Sequence, residues 1–270
     1  MTSDAVRLVL GDCVEVLPTL AAGSVDAVIT SPPYAMQRAK QYGGVPEAQY
    51  PEWTVAWLDA LRPAMKPQGS VLINIREHIR DGEMSDYVHK TRLAVRAAGW
   101  IECDELIWVK ENGMPVGHPT RPRRSWERLL WFSLSRRPWH DAYANGKQSK
   151  RRRWSGDATE WCSDTSCKPD GGISRCSDVI SLPNSTEITG HPATFPVSLA
   201  IWAIRLVCVP GGIVLDPFSG SGTTAVAAIN TGRRCIAIEK DVGYFEIITE
   251  RVARARNECG LFAVEKAGVE

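Results

Sequence analysis

Four consecutive residues, Ser31-Pro32-Pro33-Tyr34, place a small hydroxyl, free backbone carbonyls and a phenol ring side by side. That set can accept the N–H bonds of a flat exocyclic amine while an aromatic face stacks on the ring that carries it. A nucleobase has this chemistry. The same residues also read as a proline-rich turn closed by a packed tyrosine, and locally both readings stand.

A second set lies near the other end of the chain. Asp216-Pro217-Phe218-Ser219-Gly220-Ser221-Gly222-Thr223-Thr224 precedes the helix-forming Ala225-Val226-Ala227-Ala228. Its small residues let a ligand approach the backbone, and a helix N-terminus favours a negatively charged group. No lysine precedes the threonine pair, so it is not a P-loop; Ala225 stands where a dinucleotide fingerprint has its third glycine. The next apolar run, Arg234 to Ile238, ends in Glu239, a carboxylate placed to accept both hydroxyls of a ribose. Loop and carboxylate together specify an adenosine-type cofactor with a carboxylate tail, which fits S-adenosylmethionine; a plain tight turn is the alternative.

These groups need strands and helices to hold them. Val25 to Thr30 reads as a buried strand, and two prolines straight after it force a stiff, extended exit. Val6 to Leu10 reads as a strand turning through Gly11-Asp12-Cys13 into a helix. Asp12 there is either a ligand contact beyond a strand end or a helix N-cap. Helical periodicity runs from Tyr50 to Met65, with Trp53, Trp57, Leu58 and Leu61 on one face, and again over Tyr87–Ala98 and Val197–Val207. Lys66 to Gly69 reads as a turn into a strand over Ser70–Ile75, and further strands are expected at Leu106–Val109, Leu129–Phe132 and Ile213–Leu215. Alternating periods predict an α/β fold with a largely parallel sheet covered on both faces. The pattern breaks between about Ser133 and Thr189, which reads as a module inserted at the sheet edge.

Composition is that of a globular chain, with 44% hydrophobic and 23% charged residues. No secretory signal or membrane span is visible, and eight scattered cysteines fit free thiols in a reducing compartment, so a cytoplasmic location is expected. Cys162, Cys167 and Cys176 lack the tight pairs of standard zinc sites, and no metal is expected. The net charge of +1 hides an asymmetry: Arg121 to Arg153 holds eleven Lys or Arg against Glu127 and Asp141, leaving the remainder mildly acidic. Such a run is the footprint of a polyanion-binding segment.

Taken together, the motifs resemble the amino-directed DNA methyltransferases over most of the chain. The Ser-Pro-Pro-Tyr motif comes first and the Asp-Pro-Phe-x-Gly-Ser-Gly-Thr motif last, a permuted order similar to the beta class. Ser31 preceded by Thr30 and the continuation Gln37-Arg38-x-Lys40-x-Tyr42-Gly43 resemble the N4-cytosine enzymes of restriction–modification systems, and His191-Pro192-Ala193-x-Phe195-Pro196 is similar to the family's segment preceding the cofactor loop. The resemblance implies a Rossmann-like, circularly permuted methyltransferase fold divided into residues 1–132 with the Ser-Pro-Pro-Tyr motif, a target-recognition region at 133–189, and a cofactor half at 190–270. It implies methyl transfer from S-adenosylmethionine to N4 of a cytosine flipped out of duplex DNA, with Ser31, Pro32, Pro33 and Tyr34 catalytic. The cofactor residues it implies are Asp12, Thr30, His191, Pro192, Thr194, Asp216, Pro217, Phe218, Gly220, Ser221, Gly222, Thr223, Thr224 and Glu239. DNA contacts fall to Arg38, Lys40, Tyr42, Arg121, Arg123, Arg124, Arg151, Arg152 and Arg153. The partners implied are double-stranded DNA, a second copy of the chain and a cognate restriction endonuclease, with no membrane. N6-adenine transfer uses the same acceptor geometry and stays open, as does a catalytically silent DNA-binding module.

Overall fold

The computed structural model describes residues 5–35, 44–111, 120–148, 172–184 and 195–265. Its first half runs β1 (Val6–Leu10), α1 (Cys13–Val16), β2 (Val25–Thr30), α2 (Tyr50–Leu61), β3 (Met65–Ile75), β4 (Ile79–Arg80), β5 (Glu83–Met84) and α3 (Tyr87–Ala97). The second half runs β6 (Ile101–Lys110), β7 (Trp126–Ser133), β8 (Val179–Leu182), α4 (Val197–Val207), β9 (Ile213–Asp216), α5 (Thr223–Asn230), β10 (Arg234–Glu239) and α6 (Val242–Glu265).

Eight strands form one sheet in the order β1-β10-β9-β2-β3-β7-β6-β8, and β4 and β5 make a separate hairpin. The ladders from β1 to β3 are parallel; β7 runs antiparallel between β3 and β6. Alternation sends successive side chains to opposite faces. Leu72 joins a core with Ala203, Ile204 and Ala228 under α4–α6, whereas Val71, Ile73 and Ile75 join one with Trp57, Leu58 and Val88 under α1–α3. Both faces are covered, as expected of parallel strands.

Three departures from the sequence reading have local causes. The α-helix at 50–61 stops short of Met65 because Pro63 diverts the chain into a 3-10 turn over Arg62–Ala64. Lys66–Gly69 is a bulge inside β3 rather than a turn before it: Val25 pairs Met65, yet Ala27 pairs Ser70. The segment read as an insertion supplies β8, which adds in parallel to β6 as the edge strand of the main sheet. Among the described residues no helix is long and apolar enough to cross a membrane.

Candidate functional site

The two motifs meet at the middle of the sheet. β2 and β9 are parallel neighbours, so Thr30 and Asp216 end side by side. From β9 the chain proceeds outward to β10 on one side, while β2 leads to β3 on the other. The loops after two such strands diverge and leave a crevice, where ligands bind in open α/β sheets.

Asp216 is the joint between the motifs. Its Oδ1 accepts from the Thr30 hydroxyl at 2.7 Å and the Phe218 N–H at 3.1 Å, and its Oδ2 accepts from the Thr224 hydroxyl at 2.7 Å. Burial outweighs these bonds and raises its pKa to about 6. Both oxygens are engaged by the protein, so this carboxylate binds the corner to the glycine loop. Thr30, also buried, is committed to the same joint.

The glycine loop is shaped by close approach. Gly220 and Gly222 have φ of 50° and 81°, and a Cβ on Gly222 would sit 2.3 Å from Ile248 Cγ1 on α6. Both facts demand glycine at 222. Behind the loop, the Arg251 guanidinium donates to the Ser221 carbonyl (2.9 Å), the Ser221 hydroxyl (3.2 Å) and the Thr223 hydroxyl (3.3 Å). Phe218 is half-buried, its ring 5.3 Å from Trp53 and 5.5 Å from Trp57. Pro217 and the loop residues from Ser219 to Thr224 are buried.

Glu239 lies half-buried at the tip of β10. It accepts from the Gly220 N–H at 2.7 Å and the Asp241 N–H at 2.9 Å. On the adjoining β1, Leu10 is 48% exposed, and Val14 on the following helix 41%. Exposed apolar surface next to a carboxylate suits a nucleoside, with ribose hydroxyls on the acid and an apolar base beside it. Asp12 is the N-cap of α1, its Oδ1 accepting from the Val14 N–H at 3.0 Å; its side chain is exposed beside that rim.

Across the crevice, Pro32 is buried while Ser31, Pro33 and Tyr34 are half-buried. The Tyr34 phenol donates to Glu127 at 2.8 Å and accepts from Asn74 Nδ2 at 3.1 Å. Burial first, then the Glu127 charge, push its pKa well above the ordinary phenol value, so it stays a donor. The antiparallel sense of β7 creates this contact, because it brings the start of β7 to the carboxyl ends of β2 and β3.

Asn74, Glu127 and Arg251 carry no local motif. Asn74 is a polar residue inside the apolar run Val71–Ile75, which is a usable sign of a functional strand end. In the sequence Glu127 is legible only as a charge, and nothing local marks Arg251 on α6.

The basic run is split. Arg121 is exposed at the site's end of the sheet and donates to the Gly82 carbonyl at 2.6 Å, with Arg123 exposed beside it. Arg124 instead points at the buried Glu77, 3.5 Å away, and Arg128 pairs with Glu77 and Glu105; burial lowers the Arg124 pKa. Arg136 and Arg137 follow Ser133, which pairs with Ser70 at the opposite end of β3 from Ser31. Within the described part of this run, Arg124 and Arg128 pair with buried or half-buried acids, and Arg136 and Arg137 lie toward the far end of β3. Arg38, Lys40, Tyr42, Arg151, Arg152, Arg153, Cys162, Cys167, His191, Pro192 and Thr194 lie outside the described residues. Cys176 is a half-buried free thiol, and no group that could hold a metal occurs among the described residues.

Residues 25–250 match the family model described as DNA methylase. The chain belongs to this family. It is 25% identical over 272 residues to the type II methyltransferase M.PvuII of Proteus hauseri, covering 87% of this chain and 80% of that protein. It is 26% identical over 244 residues to the type II methyltransferase M.BglII of Bacillus subtilis, covering 88% of this chain and 66% of that protein. Among solved structures, the cytosine-N4-specific PvuII DNA methyltransferase superposes with a TM-score of 0.72 at 22% identity, over 96% of this chain and 93% of its own. The M1.HpyAVI–SAM complex superposes at 0.59 and 22% identity, over 91% of this chain and 99% of its own. The mostly parallel sheet with one antiparallel strand is thus the fold of known DNA methyltransferases.

Proposed function

We propose that this DNA methylase transfers the methyl group of S-adenosylmethionine to the exocyclic N4 amine of a cytosine flipped out of duplex DNA. One observation carries the reading: Ser31-Pro32-Pro33-Tyr34 and the Phe218–Thr224 loop leave adjacent strands and are stitched together through Asp216. The resemblance of Ser31 and its neighbours to N4-cytosine enzymes, and the fold shared with a cytosine-N4-specific enzyme, favour cytosine.

The cofactor would be held by Glu239 at its ribose, by the apolar rim of Leu10 and Val14 with Asp12 at its base, and by the Phe218–Thr224 loop at its methionine end. When bound it supplies an electrophilic methyl group on sulfur. The protein orients the nucleophile. An aromatic amine is a poor nucleophile because its lone pair is delocalised into the ring. Acceptance of its two N–H bonds by Ser31 Oγ and the Pro32 carbonyl draws the nitrogen toward tetrahedral geometry and frees that lone pair. Tyr34 offers a face on which the base stacks. The amine loses its proton after methylation, when it is strongly acidic, so no strong base is required.

Arg121 and Arg123, at the site's end of the sheet, supply phosphate contacts, and Arg38, Lys40, Tyr42 and Arg151–Arg153 complete them in this reading. The division into residues 1–132, a target-recognition region at 133–189 and a cofactor half at 190–270 belongs to it. So do a cytoplasmic location, a second copy of the chain, and a cognate endonuclease, the last because the curated relatives are type II methyltransferases.

The test is methyl transfer from labelled S-adenosylmethionine to unmethylated duplex DNA, with digestion to nucleosides and mass spectrometry. N4-methylcytosine is expected, greatly reduced in Ser31→Ala. N6-methyladenine would keep the chemistry and overturn the choice of base. Cofactor binding without transfer on diverse DNA would replace the enzyme with a silent binding module.

A further inference from the structure

Glu127 is buried within a cluster of polar groups drawn from three strands. Its Oε2 accepts from the Tyr34 phenol at 2.8 Å and from Asn74 Nδ2 at 2.9 Å. Its Oε1 accepts from Lys110 Nζ at 2.5 Å, with the Arg76 guanidinium 3.8 Å away. Asn74 closes a triangle by donating also to the Tyr34 oxygen. Because a carboxylate only accepts, the side of the Asn74 amide that faces Glu127 must be its nitrogen. Burial alone would raise the pKa of Glu127; Lys110 and Arg76 outweigh it and hold the carboxyl below its ordinary value. The group is an anion in the working range.

For stability alone this is a poor arrangement. Desolvating a carboxylate, an ammonium and a guanidinium often costs more than their attraction returns, and apolar side chains of similar volume do as well or better. What the cluster achieves is directional. It grips one phenol by its oxygen from two sides, while the residue as a whole stays half-buried. A carboxylate on the phenol hydrogen also makes the ring more electron-rich, which favours positive charge developing above it.

We infer that Glu127, with Asn74 and Lys110, is the positioning device of the reaction, acting on the target base through the Tyr34 hydroxyl. The inference rests on the methyltransferase reading and adds to it a residue that touches neither base nor cofactor.

A double-mutant cycle decides it, using Tyr34→Phe, Glu127→Gln and the pair, read by single-turnover methyl transfer to unmethylated duplex DNA. Cofactor affinity and thermal midpoint are measured alongside. Each single variant should lose about 10- to 100-fold in transfer rate, the scale of a misplaced group, with cofactor affinity within about 2-fold. The double variant should fall no further than the worse single, because both changes cut one linkage. Losses that multiply would overturn the inference, as Glu127 would then act independently of Tyr34. Transfer by Tyr34→Phe at the wild-type rate would overturn it too. Should Glu127→Gln fail to fold, the pair Lys110→Met with Glu127→Met replaces it, removing both charges at similar volume. Its transfer should be as low as that of Tyr34→Phe and unaffected by adding that change; transfer at the wild-type rate would overturn the inference. No transfer by the wild type despite cofactor binding would sink the reading of the site itself, an outcome distinct from all of these.

Discussion

The two loops that meet at the ends of β2 and β9 are held by opposite means. The glycine loop takes its shape from two positive-φ glycines, a helix start and hydroxyls from its own nine residues, and is braced from outside by Glu239 and Arg251. The Ser-Pro-Pro-Tyr corner is anchored through Tyr34 by Asn74, Lys110 and Glu127, which lie 40 or more residues away in the chain. A loop whose shape rests on left-handed glycines should tolerate little change in that shape. A charge-built anchor should depend instead on its charges.

The largest effect is expected where the backbone has no slack. Gly222→Val adds a branched side chain at φ 81° against Ile248, where even a Cβ would be at 2.3 Å. Left-handed strain and overpacking together predict a loss of about 4–5 kcal/mol in chemical denaturation, with cofactor binding abolished. A variant as stable as the wild type would show that the loop can yield, and the contrast between the two loops would collapse.

Next comes the charge-built side. Lys110→Met leaves Glu127 buried with Arg76 as its remaining cation, 3.8 Å away, and should cost about 3 kcal/mol. Adding Glu127→Met should restore most of that stability. The comparison sharpens if methyl transfer stays low in the restored protein, since stability and positioning would then be separated in one cluster. Recovery of both together would make the cluster a plain core element.

How much of this was legible follows the same line. The strand–loop–helix of residues 213–230 and the Pro-Pro exit from β2 could be read because each is written in adjacent residues. The element order and the parallel character of the sheet followed from alternating periods. The antiparallel entry of β7, the edge strand β8 and the bulge at Lys66–Gly69 could not, because each depends on which strands become neighbours. Glu127 illustrates the cost. In sequence it is one acid diluting a basic run; in the fold the reversed direction of β7 makes it the partner of Tyr34. The pairing of Arg124 with the buried Glu77 was hidden for the same reason, since Glu77 lies 47 positions earlier.

Asp216 joins the two loops and gives a pH test. Its folded pKa is raised by burial from 3.8 to about 6. The native state therefore holds a proton that the unfolded chain has released between those values. The contribution to stability is fully present below about pH 4 and is lost as pH rises through about 6, roughly 2–3 kcal/mol in all. Asp216→Asn should remove this slope from denaturation midpoints measured between pH 4 and 7. An unchanged slope would mean that the joint does not titrate there.

The smallest effects should come from the rim, where single surface charges contribute little to stability. Arg121 and Arg136 are both exposed and belong to the same basic run, but they sit at opposite ends of the sheet. If DNA approaches the crevice at Ser31, Arg121→Ala should reduce the slope of log affinity against log salt by about 1, while Arg136→Ala leaves it unchanged. Folding stability should move by no more than about 0.5 kcal/mol in either variant. Equal slope changes would mean that DNA wraps to the far end of the sheet. A change in Arg136→Ala alone would put the duplex on the wrong end and break the assignment of the crevice. The pair thus asks of the surface what the cluster at Glu127 asks of the interior: whether charges close in sequence work in the same place.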